Sequence, residues 1–112
     1  MALLLCVVAY VNDGDTLRCA DGTRIRLAGI DAPELPGHCQ PGRRCVAGDA
    51  IASKRALERL AVGQTLRCLP NGTSYNRVTA WCAVGQVDLS CAQVAGGYAQ
   101  RWYRYWRGHR CL

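Results

Sequence analysis

Residues 13–34 read DGDTLRCADGTRIRLAGIDAPE, and the fold turns on how this stretch is punctuated. Asp13-Gly14 and Asp21-Gly22 are turn dipeptides. Between them, residues 15–19 read as a strand. After them, residues 23–30 alternate Arg24 and Arg26 against Ile25 and Leu27, the period-two pattern of a strand with one polar face. Proline cannot continue a central strand, so Asp31-Ala-Pro-Glu34 ends it. Upstream, residues 3–12 read as a buried strand entering the first turn directly. The opening is a three-stranded meander.

Downstream, residues 35–48 (LPGHCQPGRRCVAG) form a loop rich in Pro and Gly that Cys39 and Cys45 are placed to close. Asp49 is an N-cap for a helix over 50–62, with Leu57, Leu60 and Ala61 on one face and Gly63 as its stop. Residues 65–69 predict a fourth strand, Pro70-Asn71-Gly72 a turn, and residues 78–84 a fifth strand. Gly85-Gln86 begins another turn, and Asp88 caps a short helix ended by Gly96-Gly97. No repeat, linker or low-complexity tract interrupts this order. Three meander strands, a helix and two further strands are the element order of the five-stranded OB-fold, a small Greek-key barrel. The expected class is a β-barrel with helices (α+β), as one domain over 1–112. Element order alone does not assign a function.

The size of the chain bounds what this fold can do. In 112 residues, 50% are apolar and 20% charged, a globular balance rather than a disordered one. A domain this short buries only about 60–70% of its unfolded surface, so its core gives a thin stability margin. No apolar run reaches the ~18 residues needed to cross a bilayer. Residues 1–11 (MALLLCVVAYV) are apolar enough for a signal-peptide core but have no basic start and no small-residue cleavage site. They read as the first strand, with any export signal lying outside this sequence.

The eight cysteines bear on that margin. Their positions (6, 19, 39, 45, 68, 82, 91 and 111) contain no CxxC pair, and His38 and His109 complete no finger pattern, so disulfides are favoured over zinc. That chemistry implies an oxidising compartment, the periplasm or outside the cell. Eight cysteines allow 105 connectivities; the short-range pairs expected are Cys39–Cys45 and Cys82–Cys91. Cys6, Cys19, Cys68 and Cys111 remain, and a bond from Cys111 would anchor the C-terminus.

Charge is unevenly placed. The formal net charge is +6, and of fourteen Lys and Arg only Lys54 is lysine. Guanidinium matches phosphate oxygens bidentately, which suits nucleic acid, although an Arg-for-Lys preference across a proteome gives the same composition. Asp13, Asp15, Asp21, Asp31 and Glu34 fall within one short window, leaving only Asp49, Glu58 and Asp88 beyond it. Acids clustered in a basic chain suggest a cation site. Asp13 and Asp21, each beside a glycine, read as turn residues.

The strings Asp13-Gly-Asp-Thr16, Ile25-Arg-Leu-Ala-Gly-Ile-Asp-Ala-Pro-Glu34, Tyr75-Asn-Arg77 and Gly97-Tyr-Ala99 resemble the staphylococcal nuclease (thermonuclease) family in order and spacing, over roughly residues 3–105. The first two strings are the specific ones; YxR and GYA alone are weak. The resemblance implies a Ca²⁺ held by Asp15, Asp31 and the backbone carbonyl of Ala32, as suits a hard cation. It further implies that Arg26 and Arg77 grip the scissile phosphate, and that Glu34 orients or deprotonates the attacking water. Two departures stand out. Ala32 replaces a threonine of which only the main-chain oxygen is expected to coordinate. Asn76 replaces the glycine usual before the second arginine, and Asn tolerates left-handed backbone angles better than most residues. The chain also stops where the staphylococcal enzyme continues into a further helix.

The tail allows two readings. Arg101, Arg104, Arg107 and Arg110 recur every three residues among Trp102, Tyr103, Tyr105 and Trp106. As a helix they form an arginine stripe, and basic residues interleaved with aromatics suit single-stranded nucleic acid. Alternatively the Trp rings pack on the barrel and the arginines are solvated. The resemblance places Tyr103 and Tyr105, with Tyr75, at the nucleotide.

The resulting expectation is an exported, monomeric, Ca²⁺-dependent endonuclease. It would act on single-stranded or frayed DNA and RNA with little sequence preference, leave 3′-phosphate ends and use no membrane. The alternatives are a catalytically silent OB-type module binding nucleic acid or protein, and a Ca²⁺-stabilised structural domain. The last explains the acids but not Arg26 and Arg77.

Overall fold

A computed structural model describes residues 2–111. Strand β1 (Leu4–Asp13) pairs antiparallel with β2 (Thr16–Cys19), and β2 with β3 (Arg24–Leu27). Helix α1 (Ala50–Ala61) follows, then β5 (Thr65–Ser74), which pairs with β1, and β6 (Arg77–Val84), which pairs with β5 and with the short β7 (Val87–Asp88). A parallel pairing of β3 with β6, Ile25 opposite Val78, closes β1, β2, β3, β5 and β6 into a barrel. The OB-like α+β architecture is therefore present. No helix among the described residues is long and apolar enough to cross a membrane.

The alternation read in the third strand has its physical cause here. Ile25 and Leu27 are fully buried with Leu17, Ile30, Leu57, Leu66 and Leu89. Truncating one such leucine to alanine costs about 2–5 kcal/mol. In α1 the Asp49 carboxylate accepts from the Ala52 N–H at 2.9 Å, the cap expected from sequence. Helix α2 (Leu89–Ala95) is capped in the same way by Asp88, which accepts from Cys91 N–H at 3.0 Å.

Three expected elements differ. The third strand stops at Leu27, and Ile30–Asp31 forms a separate β4 paired with β8 (Gln100–Arg101). Gly29 sits between them at φ +76°, against the Trp81 ring, where a Cβ would collide. Pro70-Asn71-Gly72 is not a turn: β5 runs through it as a bulge, and the chain reverses at Tyr75-Asn76. The left-handed conformation in that reversal falls on Tyr75 (φ 57°), not on Asn76. The tail forms a single helical turn, α3 (Tyr103–Trp106), and Arg107 leaves it at φ 52°, so no arginine stripe develops.

Trp106 is buried edge-on against Trp81 (centroids 5.4 Å apart), and His109 stacks on Trp81 at 3.6 Å. The packing reading of the tail therefore holds for Trp106, whereas Trp102 is exposed.

All eight cysteines are paired: Cys6–Cys19, Cys39–Cys45, Cys68–Cys82 and Cys91–Cys111. The expected Cys82–Cys91 bond is corrected. Cys68 and Cys82 face one another across the β5–β6 ladder, with Cα atoms 4.1 Å apart, inside the core. Cys91 instead ties α2 to the C-terminal segment through Cys111, the anchor anticipated for it. Four disulfides fit an oxidising environment. Closing a loop of about 20 residues, as Cys91–Cys111 does, contributes about 3 kcal/mol in the chain-entropy account.

Candidate metal and phosphate site

The β1–β2 turn brings Asp13 and Asp15 to one end of the barrel. Asp13 accepts the Asp15 N–H at 3.0 Å, an Asx turn of the kind its glycine neighbour suggested. Gly14 is required for another reason: a Cβ there would run into the Ser53 side chain of α1 and the Ala32 methyl. From behind, the buried amide of Gln93 on α2 donates to the carbonyls of Gly14 (2.9 Å) and Ser53 (3.0 Å). Gln93 thus keys the turn to both helices, and no sequence motif announces it. Its Oε1 has no hydrogen-bond partner among the described residues.

Asp15 is only 5% exposed and is held by several partners. It accepts from the Thr16 hydroxyl (2.9 Å) and the Ala32 N–H (2.9 Å), and its Oδ2 lies 3.3 Å from Arg26 Nη1. Burial opposes its charge, but the Arg26 guanidinium and these hydrogen bonds prevail and hold its pKa below the ordinary value. The Ala32 contact places the Asp31-Ala32 segment directly beside Asp15.

Arg26, 7% exposed on β3, donates to the Ile30 carbonyl at 2.9 Å and reaches Asp31 at 3.4 Å. Its charge is thus shared between two aspartates. Arg77, at the start of β6, is held by the Ser74 carbonyl and hydroxyl, each at 3.2 Å, and by Thr16 Oγ1 at 3.4 Å. Burial, then the positive charge of Arg26, lowers its pKa. It makes no direct ion pair among the described residues, although Asp15 and Asp13 act on it at longer range.

Glu34 projects into the same cleft and is paired with Arg43 Nη1 at 2.8 Å. Arg43 Nη2 also reaches Asp31 at 3.3 Å. The cleft is lined by Asp13, Asp15, Arg26, Glu34, Arg77 and Tyr75, among others. The five charged side chains expected together therefore do meet, Asp31 joining through its two guanidinium contacts.

The structure adds two groups that sequence reasoning missed. Arg43 was legible only as part of a loop beside the acids. Asp13 makes the turn that its glycine neighbour predicts. Burial and then the neighbouring Asp15 charge also raise its pKa from 3.8 to about 7. Burial, opposed by Arg26, likewise raises Asp31. Buried carboxylates thus gather beside one another here, and the donor set is all oxygen. Both features fit a hard divalent cation at Asp15, Asp31 and the Ala32 carbonyl, with water completing the shell.

The expected nucleotide tyrosines separate. Tyr75, 94% exposed, stands at the cleft rim with Arg77 5.8 Å from its ring centre. Tyr105 lines a neighbouring cavity of about 500 Å³ with Trp81, Trp102, Asn71 and Arg26. Tyr103 is exposed and lines neither cleft.

A second cluster of donor atoms, Asp88, Cys91 and His109, lies away from this cleft. Among the described residues it is the only such group with three donor atoms within 4.8 Å of one another. Cys91 is spent in its disulfide, and His109 Nε2 meets Asp88 Oδ2 at 2.6 Å. In this oxidised form the cluster fastens the tail. No family model matches the chain, and no curated protein matches it at a significant level.

Proposed function

We propose that the chain is an exported, metal-dependent endonuclease of the staphylococcal nuclease type, hydrolysing DNA and RNA phosphodiesters with little sequence preference. The observation that carries this reading is the meeting of Asp15 and Glu34 with Arg26 and Arg77 at one cleft, with Asp31 joined to it through Arg26 and Arg43. The four disulfides support a periplasmic or secreted location.

The chemistry follows from the groups. Phosphodiester hydrolysis concentrates negative charge on the phosphoryl oxygens in the transition state. Arg26 and Arg77, approaching from β3 and β6, place two guanidinium forks where that charge develops. A Ca²⁺ at Asp15, Asp31 and the Ala32 carbonyl would add Lewis-acid stabilisation. Glu34 takes the proton of the attacking water, the new bond forms to phosphorus, and the bond to the 5′-oxygen breaks, the leaving oxygen taking a proton from solvent water. The products are a 3′-phosphate and a free 5′-hydroxyl. Thr16, which donates to Asp15 and accepts from Arg77, couples the cation side of the cleft to the phosphate side.

One observation favours a second reading. Glu34 is occupied by Arg43, as suits a module that binds nucleic acid through its arginines without cutting it. A metal-by-substrate matrix separates the two: single-stranded DNA and RNA, each with Ca²⁺, Mg²⁺, Mn²⁺ or chelator, with end-group analysis. The nuclease reading expects Ca²⁺-dependent cleavage leaving 3′-phosphates. Binding without cleavage in every combination would leave the silent module.

A further inference from the structure

Arg43 sits in a segment with no core of its own. Residues 36–44 are all exposed, so no apolar side chain anchors them. The Cys39–Cys45 bridge closes the segment, and the Arg43 carbonyl lies 3.6 and 3.8 Å from its two sulfurs. Gly37 (φ +81°) and Gly42 (φ +78°) supply the turns. Among the described residues, the side-chain hydrogen bonds that leave residues 36–44 come from the Arg43 guanidinium, forked between Glu34 and Asp31.

Charge decides what happens to that fork. Asp13, Asp15 and Glu34 line the cleft with Arg26, Arg43 and Arg77, and Asp31 adjoins it through Arg26 and Arg43. Whether or not Asp13 carries its proton, the four acids and three arginines balance to within one charge. A divalent cation makes the group net positive and competes with Arg43 for Asp31. Arg43 then lies beside a dication, and an anion becomes its favoured partner. A phosphodiester offsets that positive charge.

We propose that Arg43 is a third substrate-contacting arginine that exchanges partners. It neutralises Glu34 and Asp31 while the cleft holds no divalent cation, and it moves to a polynucleotide phosphate once the cation is bound. The Cys39–Cys45 bridge keeps it within reach. The exchange also frees Glu34 for its role as base, so cation binding precedes productive substrate binding. This inference rests on the proposed polynucleotide site but not on turnover there.

The test uses the folded, oxidised protein and two readouts that need no cleavage. Calorimetric titration with Ca²⁺ alone should show Arg43→Gln binding the ion about 3- to 10-fold more tightly than wild type, because a competing charge is gone. Anisotropy of a phosphorothioate dT12, whose linkages retard cleavage, should show the opposite sign. With Ca²⁺, Arg43→Gln should weaken binding about 5-fold and lower the slope of log K against log salt by about 0.7, one single-strand phosphate contact. Arg43→Lys should keep that slope. With chelator, Arg43→Gln should bind the oligonucleotide no more weakly than wild type.

Equal weakening with and without Ca²⁺, or unchanged Ca²⁺ affinity and salt slope, would overturn the exchange. So would failure of the wild type to bind either probe. If both signs appear but wild type cuts no DNA, the exchange stands and the nuclease reading falls. The variant's fold is checked by its circular dichroism and its thiol count.

Discussion

The two sides of the cleft are built on opposite principles. On the barrel side, Arg26 and Asp15 are nearly buried, and each is held by several backbone and side-chain partners. On the loop side, Arg43 is half exposed, stands on a segment without buried residues and is kept near by a short disulfide. The difference teaches that position can be fixed by the core or merely bounded by a tether. A group fixed by the core serves the ground state and transition state alike with no reorganisation. A tethered group is free to change partners.

Removing Arg26 should have the largest effect. Arg26→Ala leaves Asp15 as a buried charge without its guanidinium, which costs about 3–5 kcal/mol. Arg43→Gln breaks an exposed pair and should cost about 0.5 kcal/mol. Urea unfolding of both variants measures the contrast; comparable losses would erase the distinction between the two sides.

Next in size are the catalytic losses. Glu34→Gln and Arg77→Ala should each lower cleavage by ~10²-fold or more while leaving the urea midpoint near wild type. Unchanged rates in both variants would contradict their assigned roles.

Asp13 sharpens the comparison through pH. Its folded pKa, about 7, lies above its ordinary 3.8, so the folded state binds the proton more tightly than the unfolded chain does. That contribution to stability is fully present below pH 3.8 and is lost as pH climbs through about 7. Asp13→Asn removes the titration and can still accept the Asp15 N–H. Its stability relative to wild type should therefore rise between pH 4 and pH 8, and parallel pH profiles would exclude the burial of Asp13 beside Asp15. Asp15, shifted the other way, acts only at the acidic end, where its stabilisation is lost as pH falls.

The smallest effect belongs to the loop bridge. Cys39→Ser with Cys45→Ser should scarcely move the urea midpoint, since the loop gains freedom without opening the barrel. Cys68→Ser with Cys82→Ser removes a buried cross-strand bond and should cost a few kcal/mol. Equal costs would mean that the loop is part of the cooperative unit.

Much of this was legible in the sequence because local chemistry coincided with global structure. Asp49 and Asp88 read as caps and are caps, and the alternation around Arg26 matched the buried Ile25 and Leu27. The misreadings share one cause, that tertiary contacts overrode local signals. Pro70-Asn71-Gly72 looks like a turn, yet β6 on one side and the β5 bulge carry the strand through it. Cys82 is near Cys91 in sequence, but the ladder register delivers Cys68 to it. Asp13 was read as a turn former because its burial beside Asp15 depends on how α1 and α2 seat the turn. Arg43 was hidden more deeply: in a Pro- and Gly-rich loop, nothing local says which of two adjacent arginines reaches the acids.

The central claim is that these charged groups, once a cation joins them, cut a phosphodiester. The most direct measurement is incubation of the folded protein and its Glu34→Gln variant with 5′-labelled single-stranded DNA and Ca²⁺, with and without chelator. The account predicts cleavage by the wild type that chelator abolishes, readdition of Ca²⁺ restores and the variant lacks by ~10²-fold. Intact DNA throughout, or cleavage indifferent to chelator and to Glu34, would contradict it.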